Sequence, residues 1–437
     1  MDFRPELSWE FLSGDEITAK SVRAVRNHVR HVKEASPYYR EALFDVFPED
    51  IKSIDDIVKL PFTERTTLVE KTPSFIAVPP DRIAETVVTS GTTGSPLVFS
   101  LTAADIDRLT FNDALAFHSG GVTNADRAQI CVSLDGMFIG GMSYYKGMMH
   151  VGANTSRIGV MPSDIHRRYF DLLRPTVIVG VPSFLIKLST EFSKPGSDSY
   201  MSSIKKIFCT GESIRMQDMQ LNGTGKALED FFGAKAYSTY SNTELSISYC
   251  ECIAQNGGHC RPELAYTEIV DENGAPVPDG TPGEIVATPF GVEGMPLVRY
   301  KTGDIAFRVA GSCACGRNSM RIGPILGRKS QMIKVKGSTV YPLAITGILD
   351  DISEIDDYII MLENDDSLSD RVSLHAVTAP ANVEKISSRL RTELRIHVPV
   401  LISNMATILH YRGKNGKKTR VIDKRKHGAS AVRQSTV

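Results

Sequence analysis

From about residue 85 onward, short apolar runs rich in β-branched residues alternate with helical stretches. No other feature of the chain constrains its fold as tightly. The runs Ile130–Val132, Thr176–Val181 and Ile207–Thr210 read as strands, and the segments Asp105–His118, Asp164–Leu173 and Ile214–Phe231 read as helices. Strand and helix in turn is the pattern of an α/β fold with a mostly parallel sheet. Before this region, Val22, Val25, Val29 and Val32 recur at steps of three and four with basic residues between them. That spacing predicts an amphipathic helix over 18–35. Residues 265–310 differ again. The turn signals Glu272-Asn273-Gly274 and Pro278-Asp279-Gly280 separate short strands there, which predicts a small β subdomain. Residues 331–437 mix helix and strand patterns. The expected architecture is therefore α/β: an N-terminal domain over 1–327 with the β subdomain at 265–310, then a small α+β C-terminal domain over 328–437.

At 437 residues the chain has room for two to three domains. Apolar residues make up 42% and charged residues 23%, so extended disorder is excluded. Fifty basic residues oppose 51 acidic ones, which argues against binding nucleic acid or a membrane surface through bulk charge. Ten Lys, Arg and His residues do gather between 412 and 433, but no aromatic residues interleave them as a nucleic-acid surface would require. No apolar run approaches the roughly 18 residues of a membrane span. Met1–Glu16 is acidic and polar, unlike a signal peptide. Seven cysteines, an odd number, predict reduced thiols and a cytoplasmic protein, with clustered thiols as metal candidates.

Thr89-Ser90-Gly91-Thr92-Thr93-Gly94-Ser95-Pro96 follows the β-like run Thr86–Val88. Glycines and hydroxyls at this density let backbone N–H and side-chain O–H groups wrap an anion. The lysine of a GxxxxGK[ST] phosphate loop is absent. A second cluster is Cys252-x6-His259 followed by Cys313-x-Cys315, with Cys250 and Cys260 beside the first pair. Soft thiolates with one imidazole suit tetrahedral zinc, and four protein ligands with no open position make a structural site. Spacing alone leaves open whether Cys250 or Cys260 replaces one of the four.

TSGTTGSP at 89–96, YSNTE at 240–244, YKTGD at 300–304 and GRKSQMIKVKG at 327–337 occur in the order seen in adenylate-forming enzymes. LPFTERTTL (60–68), FIAVPPDRIAETVV (75–88), GMFIGG (136–141), VPSF (181–184), ECIAQNGGH (251–259), CACGR (313–317) and NGKKTRVIDKR (415–425) resemble the phenylacetate–CoA ligase branch more closely. The resemblance spans about residues 20 to 425. It implies a two-step ligase in which a carboxylate attacks the α-phosphate of ATP and the acyl group of the adenylate then passes to a thiol or an amine.

The resemblance also assigns residues. Ser90, Gly91, Thr92, Thr93 and Gly94 would cradle the phosphates. Glu244 would hold Mg²⁺, Thr243 would donate to the α-phosphate and Tyr240 would stack on adenine, with Ser241 where glycine is usual. Gly211 and Glu212 would form the adenine-side strand end, Asp304 would accept the ribose hydroxyls, and Arg328 would touch ribose or phosphate at the domain junction. Lys417, which directly follows a glycine, would be the catalytic lysine, with Lys418 and Lys414 as rivals by spacing. The small domain is expected to be mobile about a hinge near Ser330, where Asp or Lys is common. Thr346 replaces a glutamate usual after the Tyr-Pro element.

The acyl group would face Ser133–Gly147, with Asp135, Phe138, Gly140, Gly141, Tyr144 and Tyr145 from that segment and Val181 and Pro182 from the next. Asp135 stands where the branch usually has an aromatic residue. A buried carboxylate there would favour an acid whose ring bears an amino or hydroxyl group. The expected activity is adenylation of such an aromatic acid, with ATP, Mg²⁺ and structural Zn²⁺, and transfer to CoA. An amine or a carrier-protein thiol is the alternative acceptor, and a homodimer the expected assembly.

Overall fold

The computed structural model describes residues 3–89, 96–193, 203–335, 338–364, 370–394, 396–412 and 420–425. They divide into two compact units, Met1–Ile325 and Leu326–Val437.

The first unit opens with a helix over Gly14–Ala35. Ser13 and Glu16 close a reciprocal capping box at its start, satisfying two of the N–H groups a helix leaves unpaired. Val22, Val25, Val29 and Val32 are all buried, as their spacing requires. The same core takes in one face of an antiparallel meander, Ala265–Val270, Gly283–Pro289 and Tyr300–Ala306. Its first two strands turn at Asp271, whose carboxylate accepts from the Asn273 and Ala275 amides.

An eight-stranded sheet organises the rest of the unit. Asn154–Arg157, Arg127–Cys131, Val177–Gly180, Lys206–Thr210 and Lys235–Asn242 run parallel in that spatial order. Ile247–Glu251, Gly258–His259 and Arg321–Ile322 continue the sheet antiparallel. Residues along a strand face opposite sides. Val177, Val179 and Phe208 enter one core with Phe117, Tyr144 and Met148, while Ile178, Ile207 and Cys209 enter another with Phe170, Leu185 and Leu188. Burial on both faces is why these strands read as uninterrupted apolar runs.

Helices cover the faces at Ala103–Ser119, Ile139–Val151, Ser163–Leu173, Pro182–Phe192 and Gly223–Phe232. One expectation is corrected here: Ile214–Phe231 is not helical throughout. Residues 214–222 form a turn closed by an Arg215–Leu221 bridge, and the helix starts only at Gly223. The cause is local. The Asn222 side chain accepts from the Gly225 amide and donates to the Ser213 carbonyl, fixing an N-cap where periodicity alone suggested a helix interior.

The second unit holds a four-stranded mixed sheet in the order Val400–Ile402, Asp370–Val377, Asp357–Asn364, Val421–Asp423. The inner pair is antiparallel and each outer strand runs parallel to its neighbour. Ile345 of helix Pro342–Asp350 and Ile386 and Leu390 of helix Val383–Leu394 are fully buried, together with Ile360, Leu362 and Leu374 of the sheet. The chain is thus α/β in its larger part and α+β in its smaller one. Among the described residues no helix is long and apolar enough to cross a membrane.

Candidate active site

The five parallel strands end along one edge, at Arg157, Cys131, Gly180, Thr210 and Asn242. Ligands of open α/β sheets bind outside such carboxyl ends, where the strand order reverses. The reversal lies at Arg127–Cys131, flanked by Asn154–Arg157 on one side and Val177–Gly180 on the other. The loop 133–138, Val181-Pro182, Gly211-Glu212 and Ser241–Glu244 all issue from this edge. Contiguous motifs far apart in sequence are gathered by strand polarity alone.

The 133–138 loop is tightly held. Gly136 and Met137 both adopt positive φ, 63° and 60°, a costly conformation for methionine. The Met137 carbonyl accepts from the Val88 amide at 3.3 Å, which ties the loop to the strand Glu85–Thr89. A β-carbon on Gly141 would overlap the Ser133 carbonyl, and one on Gly140 would press into the Phe138 ring. These two glycines thus answer to close packing of helix Ile139–Val151 against its own entry loop.

Asp135 is exposed and its carboxylate accepts from the Ser133 hydroxyl of the same loop. The buried carboxylate expected from sequence is therefore absent. The loop turns Asp135 outward, so it needs no substituent on a substrate to satisfy it. Phe138 is likewise exposed. Tyr145 lies beneath the Arg157 guanidinium, 4.9 Å from ring centroid to cation. Pro182 is buried in the first turn of its helix, where its missing N–H costs nothing. Glu212 accepts from the Ser183 amide and hydroxyl at 2.8 and 2.7 Å, so it caps that same helix.

On the strand Lys235–Asn242, the Tyr240 hydroxyl donates to Asp304 at 3.0 Å. Burial first, and then the Asp304 charge, hold the Tyr240 phenol well above its ordinary pKa. Asp304 is buried on strand Tyr300–Ala306, next to Gly303, whose φ of 75° sits at an irregularity in the pairing with the neighbouring strand. That backbone conformation favours glycine and accounts for its place in the TGD motif.

Glu244 is buried and pairs with the Arg65 guanidinium, with the Tyr300 hydroxyl at 3.5 Å. Arg65 also donates to Thr89, the first residue of the phosphate-loop motif, at 3.1 Å. Thr243 is half-buried in the turn that carries Glu244, and its carbonyl accepts from Ser246. Arg328 is exposed in the second unit. Ser90, Gly91, Thr92, Thr93 and Gly94, and Lys417 with its rivals Lys414 and Lys418, lie outside the described residues.

The second cluster closes on itself. The ligand atoms of Cys252, His259, Cys313 and Cys315 lie within 4.8 Å of one another. Cys252 Sγ stands 3.5 Å from Cys313 Sγ, and Cys315 Sγ stands 3.4 Å from His259 Nε2. A tetrahedron with Zn–S bonds of about 2.3 Å and Zn–N bonds of about 2.0 Å has edges of roughly 3.5–3.8 Å, so the set fits that ion. Neither Cys250 nor Cys260 belongs to it. Behind His259, Nδ1 meets the Ser319 hydroxyl at 2.9 Å, and Ser319 donates to the buried Glu10 carboxylate at 3.2 Å. A carboxylate behind the ligating ring is the usual way such a histidine is oriented. Burial, followed by Arg261, Arg317 and Arg321, pushes the His259 imidazole down to about 2, which keeps it neutral.

Sequence reasoning missed Arg65, Ser319 and Glu10. Arg65 sits inside the recognised LPFTERTTL motif, which could have flagged it. Nothing in the neighbourhood of Glu10 signals a partner some 250 residues away.

Residues 18–292 match the AMP-binding enzyme family. The phenylacetate–coenzyme A ligase of Thermus thermophilus is 27% identical over 98% of this chain and 100% of its own length. That of Aromatoleum evansii is 28% identical over 95% and 96%. A 2-hydroxyisobutyryl-CoA ligase in the postadenylation state superposes with a TM-score of 0.82 at 22% identity, covering 95% of this chain and 91% of the other. The anthranilate CoA ligase bound to anthranoyl-AMP superposes with 0.55 at 18% identity, over 74% and 62%. The chain belongs to the AMP-binding enzyme family, as an adenylate-forming acid–thiol ligase of the phenylacetate–coenzyme A ligase-like kind.

Proposed function

We propose that the protein activates an aromatic carboxylic acid with ATP and passes the acyl group to CoA. The observation that carries this reading is the convergence of Gly211, Tyr240, Ser241, Thr243 and Glu244 on one sheet edge, with Tyr240 bonded to Asp304. In the first step a carboxylate oxygen attacks the α-phosphorus of ATP, and pyrophosphate leaves with the electrons of the broken P–O bond. In the second the CoA sulfur attacks the acyl carbon, and AMP leaves.

Two anions meet in the first step, so the site must supply donors and positive charge. The Ser90–Gly94 loop and the Thr243 hydroxyl serve the phosphates, and Lys417 and Arg328 supply cations. Tyr240 forms a flat wall for adenine, with Asp304 beside it to accept ribose hydroxyls. Glu244 would hold Mg²⁺, whose charge offsets that of the phosphates. A single buried carboxylate suits an ion that keeps most of its waters. In the described arrangement Arg65 shares that carboxylate and stands beside Thr89, so it is a further cation at the phosphate end. Cys252, His259, Cys313 and Cys315 would hold a structural zinc.

The preferred acid is an amino- or hydroxy-substituted benzoate. The test is pyrophosphate release across benzoates, phenylacetates and their amino and hydroxy derivatives, with and without CoA. An acyl-CoA product in the CoA arm supports the reading. Adenylate that accumulates in the presence of CoA would redirect the search to an amine or a carrier-protein thiol. Absence of pyrophosphate release with every acid would overturn the reading.

A further inference from the structure

The ion pair of Arg65 and Glu244 joins motifs that lie far apart in sequence. Glu244 closes the YSNTE turn at the sheet edge, and Arg65 opens the helix Arg65–Glu70 inside LPFTERTTL. Arg65 Nη1 donates to Glu244 Oε1, and Arg65 Nη2 donates to Thr89 Oγ1 at 3.1 Å, at the end of strand Glu85–Thr89. The Tyr300 hydroxyl, on the strand that carries Asp304, lies 3.5 Å from the same Glu244 oxygen. The two partners are unequally buried: the Glu244 side chain is 9% exposed and that of Arg65 29%. The carboxylate is the fixed member of the pair. The guanidinium, on its long and partly exposed stem, is the member that can leave.

An ionised carboxylate this deep needs a partner, because losing one leaves an uncompensated charge out of water. Arg65 meets that need. Yet Glu244 is also the residue proposed to hold Mg²⁺. A guanidinium and a dication on one carboxylate repel each other across a few ångströms of weakly screening protein. The two cations therefore take turns on Glu244. Arg65 has a second anchor in Thr89, so a guanidinium released from Glu244 stays at the phosphate end. It carries five N–H donors in a planar fork, a geometry that matches phosphate oxygens.

We propose that Arg65 is an exchange cation of the nucleotide site: it neutralises Glu244 until MgATP binds, then yields the carboxylate to the metal and takes a nucleotide phosphate with the same guanidinium. This rests on the reading of the sheet edge as an ATP site and deepens it, giving Arg65 one partner in each state. Metal-free ATP binds poorly for a specific reason: with nothing to replace it, the guanidinium cannot leave Glu244.

The experiment measures ATP binding by calorimetry, once with Mg²⁺ and once with EDTA, and follows Tm. It uses wild type, Arg65→Met, Arg65→Lys, Glu244→Gln and the double variant Arg65→Met/Glu244→Gln. With Mg²⁺, Arg65→Met should weaken ATP about tenfold or more, the loss expected for a hydrogen bond to a charged group, and Arg65→Lys should recover part of it. With EDTA, Glu244→Gln should tighten ATP about tenfold, because it frees the guanidinium. The same substitution in the Arg65→Met background should gain less than about threefold, the share due to removing a negative charge. That non-additivity separates exchange from general electrostatics. Should Arg65→Met alone not fold, Glu244→Gln against the double variant still isolates Arg65, with metal-free ATP about tenfold tighter in the former. A pair that is only structural would lower Tm in Arg65→Met and leave every ATP affinity within about twofold, which overturns the proposal. Equal gains from Glu244→Gln with and without Arg65 overturn it as well. A wild-type protein that binds no ATP in either condition overturns the nucleotide-site reading and this proposal with it.

Discussion

The sheet edge and the cysteine–histidine cluster both gather polar side chains from distant segments, yet they are built to opposite ends. At the edge, reactive groups face outward or hold provisional partners: Ser241 is exposed, and Glu244 is paired to an arginine that also reaches the phosphate-loop strand. At the cluster, the four ligand atoms face one another, Cys252, His259 and Cys313 are buried, and His259 is backed by Ser319 and Glu10. An open constellation waits for a ligand, and a closed one is complete with a single ion. Substitutions at the two should therefore separate cleanly, the first costing rate and the second costing stability.

The largest effect should come from Lys417→Ala, which would remove the cation proposed to serve the reacting phosphates. Adenylation should fall about 10³-fold, in the upper range for losing one group that stabilises transition-state charge, with little change in Tm. Pyrophosphate-release kinetics and thermal melts measure both. Retained activity in Lys417→Ala with loss in Lys418→Ala would move the role by one residue.

Next comes the mirror-image variant, Cys313→Ser. It should lose one equivalent of zinc per chain and lower Tm by roughly 5–10 °C, as loss of a structural metal does. Activity per folded molecule should stay within about twofold. Metal analysis of protein purified without added zinc decides the first point. Zinc-free wild-type protein with readily titrated thiols would remove the basis of the comparison.

Asp113 offers a test by pH, because it lies behind the edge rather than at it. Burial pushes its carboxyl up to about 6 from 3.8, with Ser248, Ser143, Asn112 and Arg261 partly opposing that rise. The folded pKa lies above the unfolded one. The stability linked to this group is thus present below pH 4 and is lost as pH rises through about 6. Asp113→Asn cannot ionise, so it should gain stability relative to wild type between pH 4 and pH 7, by up to about 3 kcal/mol. Denaturant titrations at several pH values measure the difference. A difference that runs the other way would mean the carboxylate is better solvated than its burial implies.

The smallest effect is expected at Asp135. Its carboxylate is exposed and already held by Ser133, so Asp135→Asn should alter the hydroxy-to-methyl substrate ratio by less than about twofold. A large change would return the substituent-reading role to Asp135.

Much of this protein was legible in its residues because the signals were local. The valine spacing over 18–35, the apolar strands from Ile130 to Thr210, the turn chemistry around Gly274 and the motifs at 240–244 and 300–304 each lie within a few consecutive residues. Periodicity and turn preference act over that range, so the sequence by itself determined the α/β class, the order of its elements and the chemical types of the candidate residues. The false helix over 214–222 failed at the same range, where the Asn222 cap outweighed periodicity. What only the tertiary structure decided was which side chains are buried and what each one faces. Asp135 turns outward, Glu212 caps a helix, Glu244 meets Arg65 across 179 residues, Tyr144 meets Ser241 across 97, and Glu10 backs His259 through a serine 309 residues away from it. Burial and hydrogen-bond partnership are properties of the packed chain, because the cost of desolvating a polar group depends on neighbours brought from other strands and helices.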